Sequence, residues 1–362
     1  MSDLLSQTTG HLRHLVAFDT RNPPREIGTG GIFDYLQQQL PGFSFTLSDH
    51  GAGAVSLLAK RGSPKILFNV HLDTVPAAPS WSRDPHDLLL TEDRAIGLGA
   101  CDIKGAAAAL LAAASATSGD AAFLFSSDEE ANDARCIEAF LATSHGFTEV
   151  VVSEPTQCQA VLAHRGIAAA TVRFTGASGH ASGIRDPMQS AVHQALRWGS
   201  EALLLAEQEG HHRFGGLTGM PFNIGKMEGG IKANMIAAEA VLRFGFRPLP
   251  SQSLPQLHRQ FAELLPHIAK DYQVTFTGQP LPAGDTASAE ARRLQARDMA
   301  DALNLPIGHA VDFWTEAALF SDAGLTALVF GPGDIAQAHC ADEWVALDQL
   351  QTAAERYAEI LS

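Results

Sequence analysis

The sequence predicts an α/β protein in which a layered α/β domain is interrupted by an inserted α+β domain. Up to about residue 166, short apolar runs typical of buried strands alternate with helical patterns, as they do in a layered sheet. Residues 167–277 show instead the strand–helix–strand–strand–helix–strand order of a ferredoxin-like module. The first pattern returns after residue 278. We therefore expect one discontinuous domain of residues 1–166 and 278–362 and one inserted domain of residues 167–277.

The spacing of apolar residues predicts each element in turn. Before the inserted domain it predicts helices at 3–18, 30–40, 106–116 and 134–144, and strands at 43–48, 54–59, 66–71, 121–125 and 150–152. Within the inserted domain it predicts strands at 167–175, 222–228, 238–246 and 272–277, and helices at 187–206 and 253–268. After it come predicted helices at 288–303, 314–322 and 347–361, and a strand at 326–330. Residues 77–94 are predicted to be irregular.

The bulk composition narrows the class of protein. A chain of 362 residues exceeds the roughly 250–300 residues at which one core stops growing, so two domains are expected. Hydrophobic content of 46% with 18% charged residues is ordinary for a soluble globular protein. The formal net charge of −15 argues against partners such as nucleic acid or an anionic membrane surface. The longest apolar run, 106–114, is too short to span a bilayer.

The cysteines and the first residues indicate the compartment. Cys101, Cys136, Cys158 and Cys340 are scattered without a C-x-x-C spacing, so we expect free thiols in a reducing compartment. The first residues have neither a basic region nor an apolar stretch, so no signal peptide is predicted. We therefore expect a cytoplasmic protein.

His71 and Asp73 follow the apolar run of residues 66–70 and precede a proline that ends the strand. Because residues two apart in a strand point to the same face, both side chains should emerge together at the carboxyl end. Open α/β sheets have their sites at that end. The pair suits a metal ligand with a nearby carboxylate. Taken alone, it suits a buried core histidine and a turn aspartate equally well.

Asp102 lies in the glycine-rich segment 97–105, just before a predicted helix. A dinucleotide-binding loop needs glycine where Asp102 stands, because the backbone must approach a pyrophosphate there. A carboxylate would repel phosphate, so the segment favours a cation site. The alternative is that Asp102 only caps the following helix.

Three consecutive acids, Asp128, Glu129 and Glu130, follow the apolar strand at 121–125. Adjacent carboxylates at a buried strand end repel one another unless a cation or a shared proton compensates. Since neighbouring side chains point in different directions, one glutamate can bind a metal while the other acts as a general base. The alternative is a solvated acidic turn.

Glu154 follows the next strand, and His339 lies in the loop after the strand at 326–330. Strand ends thus offer two histidines and several carboxylates without any thiolate. This donor set suits zinc, cobalt or manganese ions. One carboxylate can bridge two ions about 3.5–4 Å apart, as in hydrolytic two-metal sites.

Five motifs together resemble the ArgE/DapE family of two-metal deacylases and metallopeptidases. They are H-x-D-T-V-P at 71–76, G-x-G-x-x-D-x-K-G at 97–105, D-E-E at 128–130, E-P-T at 154–156 and G-P-G…A-H at 331–339. The resemblance implies a phosphorylase/hydrolase-like layered α/β catalytic domain and an inserted lid and dimerisation domain. These motifs are spread over the length of the chain, so the resemblance is not confined to one segment.

The resemblance assigns the metal ligands. It implies two divalent ions, zinc or cobalt, with manganese also suitable. By similarity His71 and Glu154 hold one ion, Glu130 and His339 hold the other, and Asp102 bridges them.

The resemblance also assigns two residues beside the metals. Asp73 would orient His71 and fix its tautomer. Glu129 would take a proton from the attacking water and pass it to the leaving amine.

Residues of the inserted domain resemble the family's lid. His180, in the segment Gly-His-Ala-Ser, would donate to the oxyanion, although the segment also suits an exposed loop histidine. In many relatives this histidine comes from the partner subunit, which implies a homodimer formed through the inserted domain. Asn234 would line the cleft, and Arg247 would pair with a substrate carboxylate.

The implied activity is hydrolysis of the acetyl amide of an N-acetyl amino acid, with N-acetyl-L-citrulline of arginine biosynthesis as the expected substrate. N-acetyl-L-ornithine is the second candidate, followed by succinyl-diaminopimelate or a dipeptide. Glu316 stands where the family often carries Thr-Asp-Ala or Ser-Asp-Ala, so we expect this residue near the substrate. Outside this class, the alternative is a non-catalytic protein that binds a metal or a small molecule. A serine hydrolase is disfavoured because the sequence has no G-x-S-x-G segment.

Overall fold

A computed structural model describes residues 3–24, 27–131, 133–266 and 271–362 of the chain. Its helices are α1 (Asp3–Ala17), α2 (Ile32–Gln39), α3 (Lys104–Ala116), α4 (Arg135–Leu141), α5 (Ala191–Gln208), α6 (Leu254–Glu263), α7 (Thr286–Ala302), α8 (Ala317–Asp322) and α9 (Leu347–Ile360). Its strands are β1 (Ser44–Asp49), β2 (Val55–Arg61), β3 (Ile66–His71), β4 (Leu89–Leu90), β5 (Arg94–Ile96), β6 (Ala121–Ser126), β7 (Glu149–Val152), β8 (Ile167–Thr175), β9 (Gly179–His180), β10 (Arg213–Phe214), β11 (Leu217–Thr218), β12 (Phe222–Gly229), β13 (Met235–Ile236), β14 (Glu239–Phe246), β15 (Asp271–Gly278), β16 (Thr326–Val329) and β17 (Trp344–Ala346). In the ranges given above, no helix is both long and apolar enough to cross a lipid bilayer.

The chain divides into two compact units. Unit 1 comprises Met1–Leu162, Leu294–Gly308 and Thr315–Ser362, and unit 2 comprises Ala163–Arg293 and His309–Trp314. The functional domain boundaries expected at 166/167 and 277/278 stay a prediction.

Unit 1 is built on a six-stranded sheet in the order β1-β2-β6-β3-β7-β16. The four strands β6, β3, β7 and β16 run parallel, whereas β1 and β2 pair in antiparallel fashion at one side. His71 pairs with Ser126, and Val152 pairs with both Asn69 and Val329. The carboxyl ends of four parallel strands therefore meet along one edge of the sheet.

The alanine-rich helix α3 lies in the core of unit 1. Its residues from Lys104 to Ala114 are all buried, and it packs against α1 and α9. Gly105 is required at this crossing, because a Cβ atom there would lie 2.4 Å from the carbonyl oxygen of Ala100 and 3.2 Å from Leu350. The absence of a side chain at Gly105 thus lets the start of α3 pack closely against α9 and against the loop that carries Asp102.

Unit 2 contains a four-stranded antiparallel sheet in the order β12-β14-β8-β15. Numbered within the module, this order is 2-3-1-4, which is the ferredoxin-like arrangement. Helices α5 and α6 supply the apolar layer, in which the Trp198 ring lies 5.0 Å from that of Phe244. The Trp198 indole nitrogen donates to the carbonyl oxygen of Phe261 at 3.1 Å. The predicted fold class, a layered α/β domain with an inserted ferredoxin-like module, is confirmed.

Some elements differ from the sequence prediction. Residues 77–94, expected to be irregular, include β4 and the beginning of β5, which form a three-stranded sheet with β17. That pairing joins segments almost 250 residues apart, so local patterns carry no sign of it. The helix predicted at 314–322 begins only at Ala317, and the helix predicted at 253–268 ends at Glu263. Positions 267–268 of that prediction lie outside the described residues.

Candidate metal centre

The candidate site lies along the sheet edge where the parallel strands of unit 1 end. His71 is the last residue of β3, and Glu129 and Glu130 follow the end of β6. Glu154 lies two residues after β7, and the loop after β16 carries His339. Parallel strands with aligned carboxyl ends bring these side chains together, as the sequence predicts.

Asp102 lies between the two histidines. Its Oδ1 atom is 3.0 Å from Nε2 of His71, and its Oδ2 atom is 3.5 Å from Nε2 of His339. The Asp102 residue is only 7% exposed. A single buried carboxylate therefore contacts both imidazoles with different oxygen atoms, which is the geometry that a bridging ligand needs.

Two groups of donor atoms share this carboxylate, and in each group the atoms lie within 4.8 Å of one another. The first group is His71, Asp102 and Glu154, and the second is Asp102, Glu130 and His339. Glu154 Oε1 lies 3.7 Å from His71 Nε2, and Glu130 Oε1 lies 3.1 Å from His339 Nε2. Nitrogen and oxygen donors in two adjoining sets fit a pair of ions such as Zn²⁺, Co²⁺ or Mn²⁺.

The acidic side chains of the site repel one another. Burial, together with neighbouring carboxylates, raises the pKa of Glu129 and of Glu154 well above the ordinary value, against the opposing charge of His71. Burial also raises the pKa of Glu130, although its hydrogen bond with His339 acts in the other direction. These groups must share protons or gain positive charge. A divalent cation supplies that charge directly.

The same carboxylates raise the pKa values of the two histidines. Burial lowers the pKa of His71, but contacts with Asp102, Asp73 and Glu154 outweigh it and raise this pKa well above its usual range. Hydrogen bonds with Asp102 and Glu130 raise the pKa of His339 to about 11. A metal ion needs the neutral imidazole, so it would take the place of these protons.

Asp73 supports the site with its backbone as well as its side chain. The His71 Nδ1 atom lies 3.0 Å from the Asp73 carbonyl oxygen and 3.5 Å from its Oδ1. This arrangement directs Nε2 of His71 toward Asp102. The other carboxylate oxygen of Asp73 accepts the backbone N–H of Glu130 at 2.9 Å. Asp73 therefore joins the end of β3 to the loop that carries Glu130.

The three consecutive acids have different surroundings. Asp128 is fully buried and accepts the backbone N–H of Cys136, in the first turn of α4, at 3.0 Å. Glu129 and Glu130 belong to a third group of close donor atoms, together with His71. Asp128 thus anchors the loop, and the two glutamates lie at the candidate metal site.

Two residues that support the site were not identified from the sequence. The buried Asn22 side chain donates to Asp73 Oδ2 and to the Ser127 carbonyl oxygen, each at 3.2 Å. The buried Glu343 carboxylate accepts backbone N–H groups of the loop that carries Asp102. Both residues contact segments that are far away in the chain, so local sequence patterns do not indicate these contacts. The one available signal is that Glu343 lies close to His339 in the sequence.

Glu316 lies at the start of α8 and is 2% exposed. Its Oε2 atom accepts a hydrogen bond from Ser126 at 3.2 Å, and the Asn69 amide, in the orientation that satisfies both of its polar atoms, donates to the same atom at 3.0 Å. Burial raises the pKa of Glu316 to about 8, assisted by the charge of Asp128. Glu316 thus contacts residues of β3 and β6, and its predicted role near the substrate stays a prediction.

The predicted lid residues belong to unit 2. His180 is exposed, and its Nδ1 atom lies 2.8 Å from Ser182 Oγ. Strand β9 pairs with β13 so that His180 stands opposite Met235, and the Asn234 carbonyl oxygen accepts the N–H of Ala181 at 2.9 Å. The motifs that contain His180 and Asn234, about 50 residues apart in the chain, therefore form one short two-stranded antiparallel ribbon. Arg247, just after β14, is half-buried.

The fold and the donor set suit a metal-dependent hydrolase, and the family match and the relatives that follow identify the chain as a metal-dependent amidohydrolase. The chain belongs to peptidase family M20/M25/M40, whose model matches residues 67–362. The resemblance to ArgE/DapE proteins is thereby confirmed.

Individual relatives agree with this family. The chain is 64% identical to the N-acetyl-L-citrulline deacetylase of Xanthomonas campestris pv. campestris, over 100% of this chain and 99% of that protein. It is 30% identical to the acetylornithine deacetylase of Aliivibrio salmonicida, over 81% of this chain and 80% of that protein. The crystal structure of aminopeptidase PepT from Bacillus cereus has the same fold at 17% identity, with a TM-score of 0.75 over 99% of this chain and 98% of that one.

The position of Asp102 predicts that metal binding by both donor groups depends on it. We expect wild-type protein to bind two divalent ions per chain and Asp102→Asn to lose tight binding of both, because an amide bridges cations poorly. The measurement is titration of metal-free protein with Co²⁺ or Zn²⁺ by calorimetry. Asp120→Ala, at an exposed residue before the amino end of β6, should bind like wild type. Unchanged stoichiometry and affinity in Asp102→Asn would contradict the bridging role.

Proposed function

We propose that the chain hydrolyses the acetyl amide of N-acetyl-L-citrulline to L-citrulline and acetate, with two divalent metal ions as cofactors. One observation carries the reaction type: the Asp102 carboxylate lies between His71 and His339, and Glu129 lies close to His71. The substrate is supported by 64% identity, over the whole chain, to a protein named for that deacetylation. Such a reaction would belong to arginine biosynthesis.

In this proposal His71, Asp102 and Glu154 would hold one ion, and Asp102, Glu130 and His339 would hold the other. Zinc or cobalt fits this donor set best, and manganese also suits it. When bound, the ions supply Lewis acidity toward the acetyl carbonyl and lower the pKa of the attacking water.

Glu129 is the proposed general base. It is absent from the two donor groups that share Asp102, yet it lies within reach of His71 and Glu130. Burial raises the pKa of Glu129 above its ordinary value, as suits a group that takes up a proton and then releases it. Glu129 takes a proton from water as the water oxygen bonds to the acetyl carbon. It then gives that proton to the amine nitrogen as the C–N bond breaks.

Residues of unit 2 are proposed to bind the rest of the substrate. Arg247 borders a cavity of about 450 Å³ that Asn223 and Arg243 also line. Burial lowers the pKa of the Arg247 guanidinium, but arginine keeps its charge and can bind a carboxylate in bidentate fashion. The exposed His180 is proposed to donate to the oxyanion, and Asn234 to line the cleft.

A homodimer formed through the inserted domain is also proposed. Leu196, Leu203 and Leu204 are about half exposed and share one face of α5. Strand β12 stands at an edge of its sheet, and Met227 on it is 42% exposed. Apolar side chains of this kind are typical of a surface covered in an assembly. A cytoplasmic location is part of the same proposal.

N-acetyl-L-ornithine is the second candidate substrate, because the Aliivibrio salmonicida relative is named for that activity. Ornithine carries a charged amine where citrulline has a neutral ureido group. Steady-state kinetics of metal-loaded protein on both compounds, on succinyl-diaminopimelate and on a dipeptide will separate the candidates. We expect the highest kcat/KM for N-acetyl-L-citrulline. A higher value for another compound would overturn the substrate assignment and leave the reaction type intact.

The base is tested by Glu129→Gln, which keeps the shape of the side chain and removes its proton acceptor. We expect kcat to fall by about 10²–10⁴-fold or more, since general-base catalysis contributes that much. Metal content, measured by elemental analysis, should stay at the wild-type level. Glu138→Gln, at an exposed position of α4, is the matched control and should turn over normally. Near-normal turnover in Glu129→Gln would exclude Glu129 as the base.

A further inference from the structure

Glu343 is a buried acid that the reaction above does not use. It is 2% exposed and lies four residues after His339. Its Oε1 atom accepts the backbone N–H groups of Cys101 at 2.8 Å and of Asp102 at 3.0 Å. Its Oε2 atom accepts the N–H of Gly99 at 3.0 Å. One side chain thus binds three backbone donors of the loop that carries the shared carboxylate.

The backbone around Glu343 attaches the same two segments to each other. The carbonyl oxygen of Glu343 accepts the N–H of Gly97 at 3.0 Å. Immediately afterwards β17 pairs with β5, with Trp344 opposite Ile96. Hydrogen bonds from Glu343 and from β17 therefore attach the segment that contains His339 to the segment that contains Asp102.

This attachment bears on the candidate metal ligands directly. Asp102 and His339 belong to one donor group, and Oδ2 of Asp102 lies 3.5 Å from Nε2 of His339. A metal ion tolerates little error in the position of its ligands, and residues that hydrogen-bond behind a ligand commonly change metal affinity by about 10–100-fold. The N–H of Asp102 itself is one of the three donors bound by Glu343.

We propose that Glu343 is a positioning residue that sets the place of Asp102 relative to His339 and thereby determines the affinity of the site for divalent cations. The inference rests on the proposed two-metal function. A glutamine at this position retains one oxygen for Cys101 and Asp102 but turns an amide nitrogen, a donor, toward the N–H of Gly99. An aspartate retains the charge on a shorter side chain, which cannot reach all three donors at once.

The test compares full-length wild type, Glu343→Gln and Glu343→Asp as metal-free proteins titrated with Co²⁺ against a chromogenic chelator. Visible absorption of the bound Co²⁺ reports the geometry of its ligands independently of activity. We expect Kd to rise about 10–100-fold in Glu343→Gln, with an altered Co²⁺ spectrum, and by a smaller factor in Glu343→Asp. Circular dichroism checks that each variant is folded. Asp342→Asn is the matched control, because that partly exposed neighbour accepts hydrogen bonds from Ser82 and should keep wild-type Kd and spectrum.

The outcomes are distinct. If both Glu343 variants lose only thermal stability and keep the wild-type Kd and spectrum, Glu343 is a structural residue and the proposal is overturned. If Glu343→Gln does not fold, a wild-type Kd and spectrum in Glu343→Asp overturn it equally. If wild type itself binds no Co²⁺, the proposed two-metal function fails, and that failure is recognised before any variant is compared.

Discussion

The contact of the Asp102 carboxylate with both His71 and His339 is the interaction on which the site depends. Each oxygen atom faces a different imidazole, at 3.0 and 3.5 Å. Glu130 and Glu154 complete the two donor groups on either side. Burying this many acids is unfavourable unless positive charge compensates them. The raised pKa values of Glu130 and Glu154 indicate that their charged forms are destabilised by burial. A pair of divalent cations would compensate that destabilisation.

The fold provides this arrangement by joining segments that are distant in sequence. Parallel strands bring His71 and Glu154 to one sheet edge, and the Asp73 carboxylate connects that edge to the loop that carries Glu130. Asn22 reaches the same carboxylate from the segment after α1. On the other side Glu343 holds the loop of Asp102. Hydrogen bonds to backbone N–H groups therefore position the loops, which leaves the ligand atoms free to face a metal ion.

Much of this arrangement could be predicted from the sequence, because strand ends carry a local signal. An apolar run followed by His71, or by Glu129 and Glu130, indicates a strand with polar residues just beyond its end. The parallel sheet then brings these strand ends to one edge. Glu343 and Asn22 had no such signal, since their partners are set by loop packing. The pairing of β17 with β5 was missed for the same reason. Glu316 accepts a hydrogen bond from Ser126, and its expected place near the substrate stays a prediction.

Anomalous diffraction from crystals of the zinc- or cobalt-loaded protein tests the central claim most directly, because it locates each ion without reference to activity. We expect two anomalous peaks per chain, each about 2.0–2.2 Å from a carboxylate oxygen of Asp102. One peak should also be bound by His71 and the other by His339. A single peak under saturating metal, or two peaks of which either lacks Asp102 as a ligand, would contradict the shared-carboxylate site.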